Sequence, residues 1–313
     1  ETYQKGLDID PQNAECKDGL QRTFSKINEG AGKDLPLKFL VNGQHANPDS
    51  ALTFVNDAVK ATGLSVAPYF LYKLESGKTD IENLSEMFVG DNGKMQKLAA
   101  ETQNSHKDLA VYEVNLHTTG GSAASIERDE ITVGATAGTA LAKVLLENLS
   151  LGVQRQCVYT LSGFDAKGDD GKTPVKLWGI VRDLGETQRF RPQGLAMILL
   201  NQAIQGDQVK VKTSENIEQD VLIFAFKSQD KWSAAIVSTA PESKQVSLRI
   251  PTAAANLTKL KLLLLDAKNP TDTNEETEKV KISESQTEIK DGNINFEIPP
   301  FGFAVLVMEK EKV

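Results

Sequence analysis

The pattern of apolar and polar positions divides the 313-residue chain into three stretches. Residues 1–33 are polar with helical spacing, and "DIDPQNAECKDGLQRTFSKI" predicts a helix opening near Pro11 and closing in "NEGAGKD". From 34 to 207, short apolar runs alternate with helical patterns. The runs "LKFLVNG" (37–43), "LSVAPYF" (64–70), "KDLAVYEVN" (107–115) and "RQCVYTLSGF" (155–164) predict strands. Between them, "NPDSALTFVNDAVKATG" (47–63) opens on Asn-Pro and ends on Gly, as a capped helix does. "IENLSEMFVGDNGKMQKLAAETQNS" predicts helix broken by a Gly loop, and "ITVGATAGTALAKVLLENLSLG" (131–152) a long amphipathic helix. The loop "DAKGDDGKTP", a short "VKLWGIVRD" segment and the helix "RPQGLAMILLNQAIQGD" complete this stretch.

After Asp207 the period changes. "VLIFAFKSQDKWSAAIVSTA", "KQVSLRIP", "LKLLLLDA", "EKVKIS" and "INFEIPPFGFAVLVMEKE" predict short strands, with "SQDK" and "KDGN" as hairpin turns. The expected architecture is therefore α/β. A helical segment (1–33) precedes a partial (β/α) barrel-like domain (34–207), followed by an antiparallel β-sandwich (208–313). A closed barrel takes eight strand-helix units and about 250 residues, so the four units here predict half a barrel or a small open sheet.

Composition narrows the function. The chain is 40% hydrophobic and 25% charged with a net charge of −8, and it carries no Lys/Arg cluster, which argues against nucleic acid as partner. No apolar run approaches the roughly 18 residues that span a bilayer. The chain opens on Glu1 rather than Met and without a signal peptide, which leaves the true start open. Cys16 and Cys157 form no metal-type pair and predict two buried free thiols, with a single bridge as the alternative. The sequons at Asn83, Asn148 and Asn256 permit glycosylation. His45, His106 and His117 lack metal-ligand spacing, and GxSxG, GxGxxG and P-loop signatures are absent, so no cofactor or metal is called for. The small residues of "VGATAGTA" (133–140) predict close packing of a helix, and the acidic "NPTDTNEETEK" (269–279) a solvated loop.

In parallel α/β folds, working groups gather at the carboxyl ends of strands. Glu113, Tyr69 and Gln44 end three successive predicted strands there. A carboxylate, a phenol and an amide suit a polyhydroxylated ligand, although polar residues also simply end strands where burial stops. Asn115 shares the facing of Glu113 by alternation, and His117 follows it in a Gly-rich loop.

The ordered pieces "VNGQHANP", "VAPYF", "VYEVNLHTTGG", "VYTLSGF", "LWGIVRD" and the ending "IPPFGFAVLVM" resemble the second half of a retaining glycoside hydrolase of the large (β/α)8 clan. The likeness is to arabinofuranosidase-like families with a β-sandwich after the barrel, over residues 37–313. It implies that the four strands stand for strands five to eight of the barrel. It also implies Glu113 as catalytic nucleophile, Tyr69 as the tyrosine orienting it, and Trp178 as a stacking platform or a core tryptophan. Asn115, His117 and Gln44 would line the pocket, and carbohydrate would be the partner.

The general acid/base, a glutamate after asparagine on the fourth strand, has no counterpart here. Asn28-Glu29 in "INEG" lies too close to the first strand for a crossover, which takes a dozen or more residues. Two readings follow: a hydrolase whose barrel another segment or subunit completes, or a non-catalytic, sugar-binding or structural derivative assembling through open sheet edges. The enzyme class and the sequons point to an extracellular protein. Residues 1–23, "ETYQKGLDIDPQNAECKDGLQRT", are similar to part of a tetratricopeptide repeat, which would need about three copies to bury its faces.

Overall fold

A computed structural model describes residues 6, 10, 13–31, 37–58, 60–78, 80–168, 170–172, 174–213, 219–251, 254, 257, 259–285 and 287–310. Residues 1–5, 7–9, 11 and 12 of the tetratricopeptide-like stretch and Asn256 of the third sequon lie outside the described residues. The chain divides into two compact units. One comprises Glu1–Phe70, Gly90–Asn115 and Glu147–Tyr159, and the other Leu71–Val89, Leu116–Leu146 and Thr160–Val313.

The first unit holds a four-stranded parallel sheet in the order β1-β2-β3-β4, from β1 (Leu40–Asn42), β2 (Gly63–Val66), β3 (Asp108–Val114) and β4 (Arg155–Val158). These are the four strands that the apolar runs predict. The strand β2 is buried at every position, as expected for an inner strand of a parallel sheet. Helix α1 (Ala14–Ala31) precedes the sheet. Helix α2 (Pro48–Asp57) starts where Asn-Pro predicts, with the Asn47 side chain accepting from Ser50 N at 3.3 Å. The predicted break in the next helix is real, since α3 (Asp80–Glu86) and α4 (Lys94–Asn104) are separate.

Strand β4 stops six residues before the predicted end. Its edge position leaves Cys157 exposed and Cys16 is half-buried; both thiols are free, so the expectation that they are buried fails. The two described sequon asparagines are buried instead, Asn83 at 5% and Asn148 at 3% exposure, and the Asn148 amide donates to Gln156 Oε1 at 3.1 Å. Neither can carry a glycan in this fold.

In the second unit, β5 (Phe164–Lys167) and β6 (Pro174–Leu177) form an antiparallel hairpin where a long strand, a loop and a short segment were expected. The run at 131–152 is two helices, α5 (Ser125–Thr132) and α6 (Ala135–Ser150), broken at Gly134. It is buried at nearly every position rather than amphipathic. Its small residues do allow close approach: a Cβ on Gly138 would stand 2.6 Å from Pro192 O.

The sandwich follows the predicted antiparallel pattern. A six-stranded sheet runs in the order β12-β11-β15-β9-β8-β7, from β7 (Asp207–Val209), β8 (Val221–Lys227), β9 (Lys231–Ser238), β11 (Lys259–Asp266), β12 (Lys281–Ser285) and β15 (Phe303–Glu309). A three-stranded sheet, in the order β10-β14-β13, holds β10 (Lys244–Arg249), β13 (Ile289–Lys290) and β14 (Asn293–Ile298). The second predicted turn is a two-residue hairpin in which Asp291 and Gly292 both take positive φ (51° and 75°), the twist-matched type I′ geometry. Alternation on β15 turns Ala304, Leu306 and Met308 into the sandwich core. The opposite face of the large sheet packs on helix α7 (Pro192–Ala203), where Ser233 Oγ donates to Ala203 O at 2.5 Å. Burial on both faces explains why "FAVLVM" is apolar throughout.

Candidate active site

Parallel register builds the centre of the first unit. Val66 pairs with Val111 across β2 and β3, so Tyr69, three residues past the end of β2, and Glu113, near the end of β3, reach the same carboxyl-end rim. There the Tyr69 hydroxyl donates to Glu113 Oε2 at 3.0 Å. Burial, and then the hydrogen bond to the Glu113 carboxylate with its charge, push the Tyr69 phenol well above its usual value. Tyr69 therefore stays a neutral donor through the physiological range. Among the described residues it is the hydrogen-bond partner of Glu113, and a phenol brings no positive charge to the carboxylate.

Asn115 is 1% exposed, and its side-chain amide donates to Tyr159 O at 2.6 Å while its backbone carbonyl accepts from Phe70 N at 3.2 Å. It thus ties the rim ends of β2, β3 and β4 together. Gln44 is exposed in the turn after β1, and its neighbour His45 pairs through Nε2 with Asp91 Oδ2 at 2.8 Å. Asp91 also accepts from Gly93 N and Met95 N and so starts α4. Glu29 sits exposed in the final turns of α1 and ends no strand.

In the second unit, His117 is not a solitary loop residue. It stacks on Tyr72 with centroids 4.6 Å apart and planes 12° off parallel, and Thr119 Oγ1 lies 3.2 Å from its Nδ1. The loop beneath this pair is fixed from behind by Arg128, which is 2% exposed. Its guanidinium donates to the carbonyls of Thr118, Gly120, Gly121 and Ala123 at 2.6–2.9 Å. Among the described residues no carboxylate pairs with Arg128. Gly121 takes φ +89°, and a Cβ there would stand 2.1 Å from Leu74 O, so the loop requires glycine at that point.

Trp178 is held just as firmly. It adopts φ +53°, a costly conformation for a bulky residue, with its indole Nε1 donating to Leu116 O at 2.9 Å. Its own carbonyl accepts from Arg191 Nη1. Arg191, 4% exposed, makes a two-pronged pair with Glu275, Nε to Oε1 at 2.8 Å and Nη2 to Oε2 at 3.1 Å. Lys176 Nζ stands 3.4 Å from Glu275 Oε2 and 3.7 Å from Asp129 Oδ2. Burial alone would push the Glu275 carboxyl up, but Arg191 and Lys176 hold it below its ordinary value. The acidic run at 269–279 is therefore not the fully solvated loop expected of it, since Asn274 and Glu275 are both buried.

Sequence reasoning thus finds Tyr69 and Glu113 together and misses Tyr72, Arg128, Arg191 and Glu275. Spacing held no signal for the last three, because their partners are carbonyls or residues distant in the chain. Among the described residues no three His, Cys, Asp or Glu side chains cluster as a metal site requires, and no helix is long and apolar enough to cross a membrane.

No family profile and no curated protein matches the sequence. Solved structures do match by fold. A GH51 arabinofuranosidase from Xanthomonas axonopodis pv. citri superposes with a TM-score of 0.66 at 14% identity, over 94% of this chain and 63% of that one. An α-L-arabinofuranosidase from Thermotoga maritima gives 0.61 at 16% identity, over 94% and 62%. A glycoside hydrolase family 30 subfamily 8 xylanase from Clostridium acetobutylicum gives 0.54 at 11%, over 93% and 59%. The fold is accordingly that of part of a glycoside-hydrolase (β/α)8-like barrel, here four parallel strands, together with a C-terminal β-sandwich. The chain spans about three fifths of the length of these three proteins.

Proposed function

We propose that this chain is a glycoside hydrolase-like protein acting on a plant or microbial polysaccharide or oligosaccharide by a retaining mechanism, with Glu113 as nucleophile. The observation that carries the reading is the Tyr69–Glu113 hydrogen bond at the carboxyl-end rim of a parallel sheet. A nucleophilic carboxylate must be ionised and aimed at the anomeric carbon. A neutral phenol donor orients it without neutralising it. The fold likeness supports carbohydrate as ligand, with the rigidly held Trp178 and the Tyr72–His117 pair as candidate sugar platforms in their own unit.

A retaining pair of carboxyl groups stands about 5–5.5 Å apart, so the general acid/base must come from chain beyond the four parallel strands or from another subunit. Secretion goes with the proposed substrate class. Turnover of a panel of aryl glycosides, measured beside Glu113→Gln, tests the reading. Loss of turnover in a variant that keeps its fold supports it, and turnover that survives the substitution sinks the nucleophile.

One observation favours a second reading, a non-catalytic carbohydrate-binding or structural derivative that assembles through its sheet edges. Strands β1 and β4 are both edges, and mid-strand Tyr112 is 40% exposed. Native mass well above the 34.1 kDa of one chain, with no turnover of any glycoside, would favour it.

A further inference from the structure

The sandwich is unequal: six strands face three. The three-stranded sheet leaves the β9-β8-β7 end of the larger one short of a covering layer, and a cavity of about 590 Å³ opens there. Ile223 and Ala225 of β8, Trp232 of β9 and Met308 of β15 form one wall, and Val246 and Leu248 of β10 form the other. All of them belong to the sandwich core or pack against it, so the cavity is a partly open extension of that core. The charged residues lining the cavity are Lys210, Lys212 and Arg249. All three are exposed, which puts them at the mouth, and among the described residues no Asp or Glu joins them, in a chain of net charge −8.

An apolar slot of this size with a few charges at its entrance is the usual build of a small-molecule site. The interior offers a sugar few hydrogen-bond partners, whereas every methylene of an acyl chain gains by entering it. The mouth lets an anionic head meet three cations without leaving water, so the desolvation that burdens buried ion pairs is avoided. We propose that this cavity binds a single-chain anionic amphiphile, for which a long-chain fatty acid is the simplest form. The acyl chain lies between the sheets, and the carboxylate sits among Lys210, Lys212 and Arg249. The site is independent of Glu113 and of the hydrolase reading.

The chain has two tryptophans, so Trp178→Phe leaves Trp232 as an indole reporter inside the cavity. Titration of that full-length variant with palmitate, below its micellar range, should change Trp232 emission saturably. Calorimetry on the unmodified chain should give the same affinity. Shorter fatty acids should bind roughly fourfold more weakly for each methylene removed. Palmityl alcohol, and palmitate with the Lys210→Gln/Lys212→Gln/Arg249→Gln chain, should each bind about tenfold more weakly. Ala225→Phe, which fills the slot from its wall, should abolish binding. The absence of saturable binding by folded unmodified chain would overturn the proposal. So would affinity that is equal for acid and alcohol, unchanged in the triple variant, or undiminished in folded Ala225→Phe.

Discussion

Glu113 and Glu275 are the same residue put to opposite uses. Glu275, on the loop before β12, is 7% exposed and meets a two-pronged guanidinium with a lysine beside it. Both oxygens are engaged by cations, its charge is neutralised locally, and its carboxyl is held below its ordinary value. Glu113, at the rim of β3, has one phenol as its partner among the described residues and is only half-buried. Satisfying a carboxylate completely fixes a structure, here the Trp178 backbone through Arg191. Satisfying it partly, with a neutral donor, orients the carboxylate without a neutralising cation, as the proposed nucleophile requires.

That contrast can be broken or sharpened by substitution. The largest effect is expected at Glu113, where Gln should lower glycoside turnover by roughly a thousandfold or more and leave stability within about 0.5 kcal/mol, read by urea titration. At Glu275 the effect should fall on stability instead. Glu275→Leu strands a buried guanidinium and should cost about 3–5 kcal/mol by the same titration.

That loss should also depend on pH. A carboxyl whose folded value is lowered contributes fully above its ordinary 4.5 and progressively less as pH falls through the lowered value. The gap between wild type and Glu275→Leu should therefore narrow below about pH 4.5. A gap constant with pH would mean that the charge of Glu275 is not what matters.

Tyr69→Phe should cost about 1 kcal/mol in stability and lower turnover through kcat rather than KM, since it removes the aim of the nucleophile. It should also remove an alkaline loss of stability. The folded chain keeps the Tyr69 proton above pH 10, where the unfolded chain releases it, so the phenol adds to the fall of stability with rising pH there. The smallest effect is expected at Glu276, the exposed neighbour of Glu275, where Gln should shift stability by no more than about 0.5 kcal/mol.

Much of this was legible in the sequence because it follows from local rules. Apolar runs at 37–43, 64–70 and 107–115 mark the parallel strands, and their polar ends mark Tyr69 and Glu113. Asn47-Pro48 and Asp291-Gly292 name a helix start and a hairpin turn through backbone chemistry alone. The rest depends on partners remote in the chain. Glu275 lies 84 residues from Arg191, so its run of charges looked like any solvated loop. Arg128 carries no local signal, because its partners are four loop carbonyls that no spacing encodes. Helix α6 looked amphipathic because Thr and Lys count as polar in a pattern, yet Thr136, Thr139 and Lys143 are buried in the fold. The exposure of Cys157 depends on where the sheet ends, which no period encodes.

The central claim is that Glu113 is a nucleophile, and it can be tested without finding its acid/base partner. A dinitrophenyl glycoside leaves without protonation, so a chain with a nucleophile and no base should form the glycosyl-enzyme and hold it. Intact-mass measurement after incubation with such glycosides, arabinofuranoside and xyloside among them, is the direct experiment. The account predicts a mass increase of one glycosyl unit that maps to Glu113 and is absent in Glu113→Gln. Labelling at any other residue, or labelling that persists in Glu113→Gln, would contradict it.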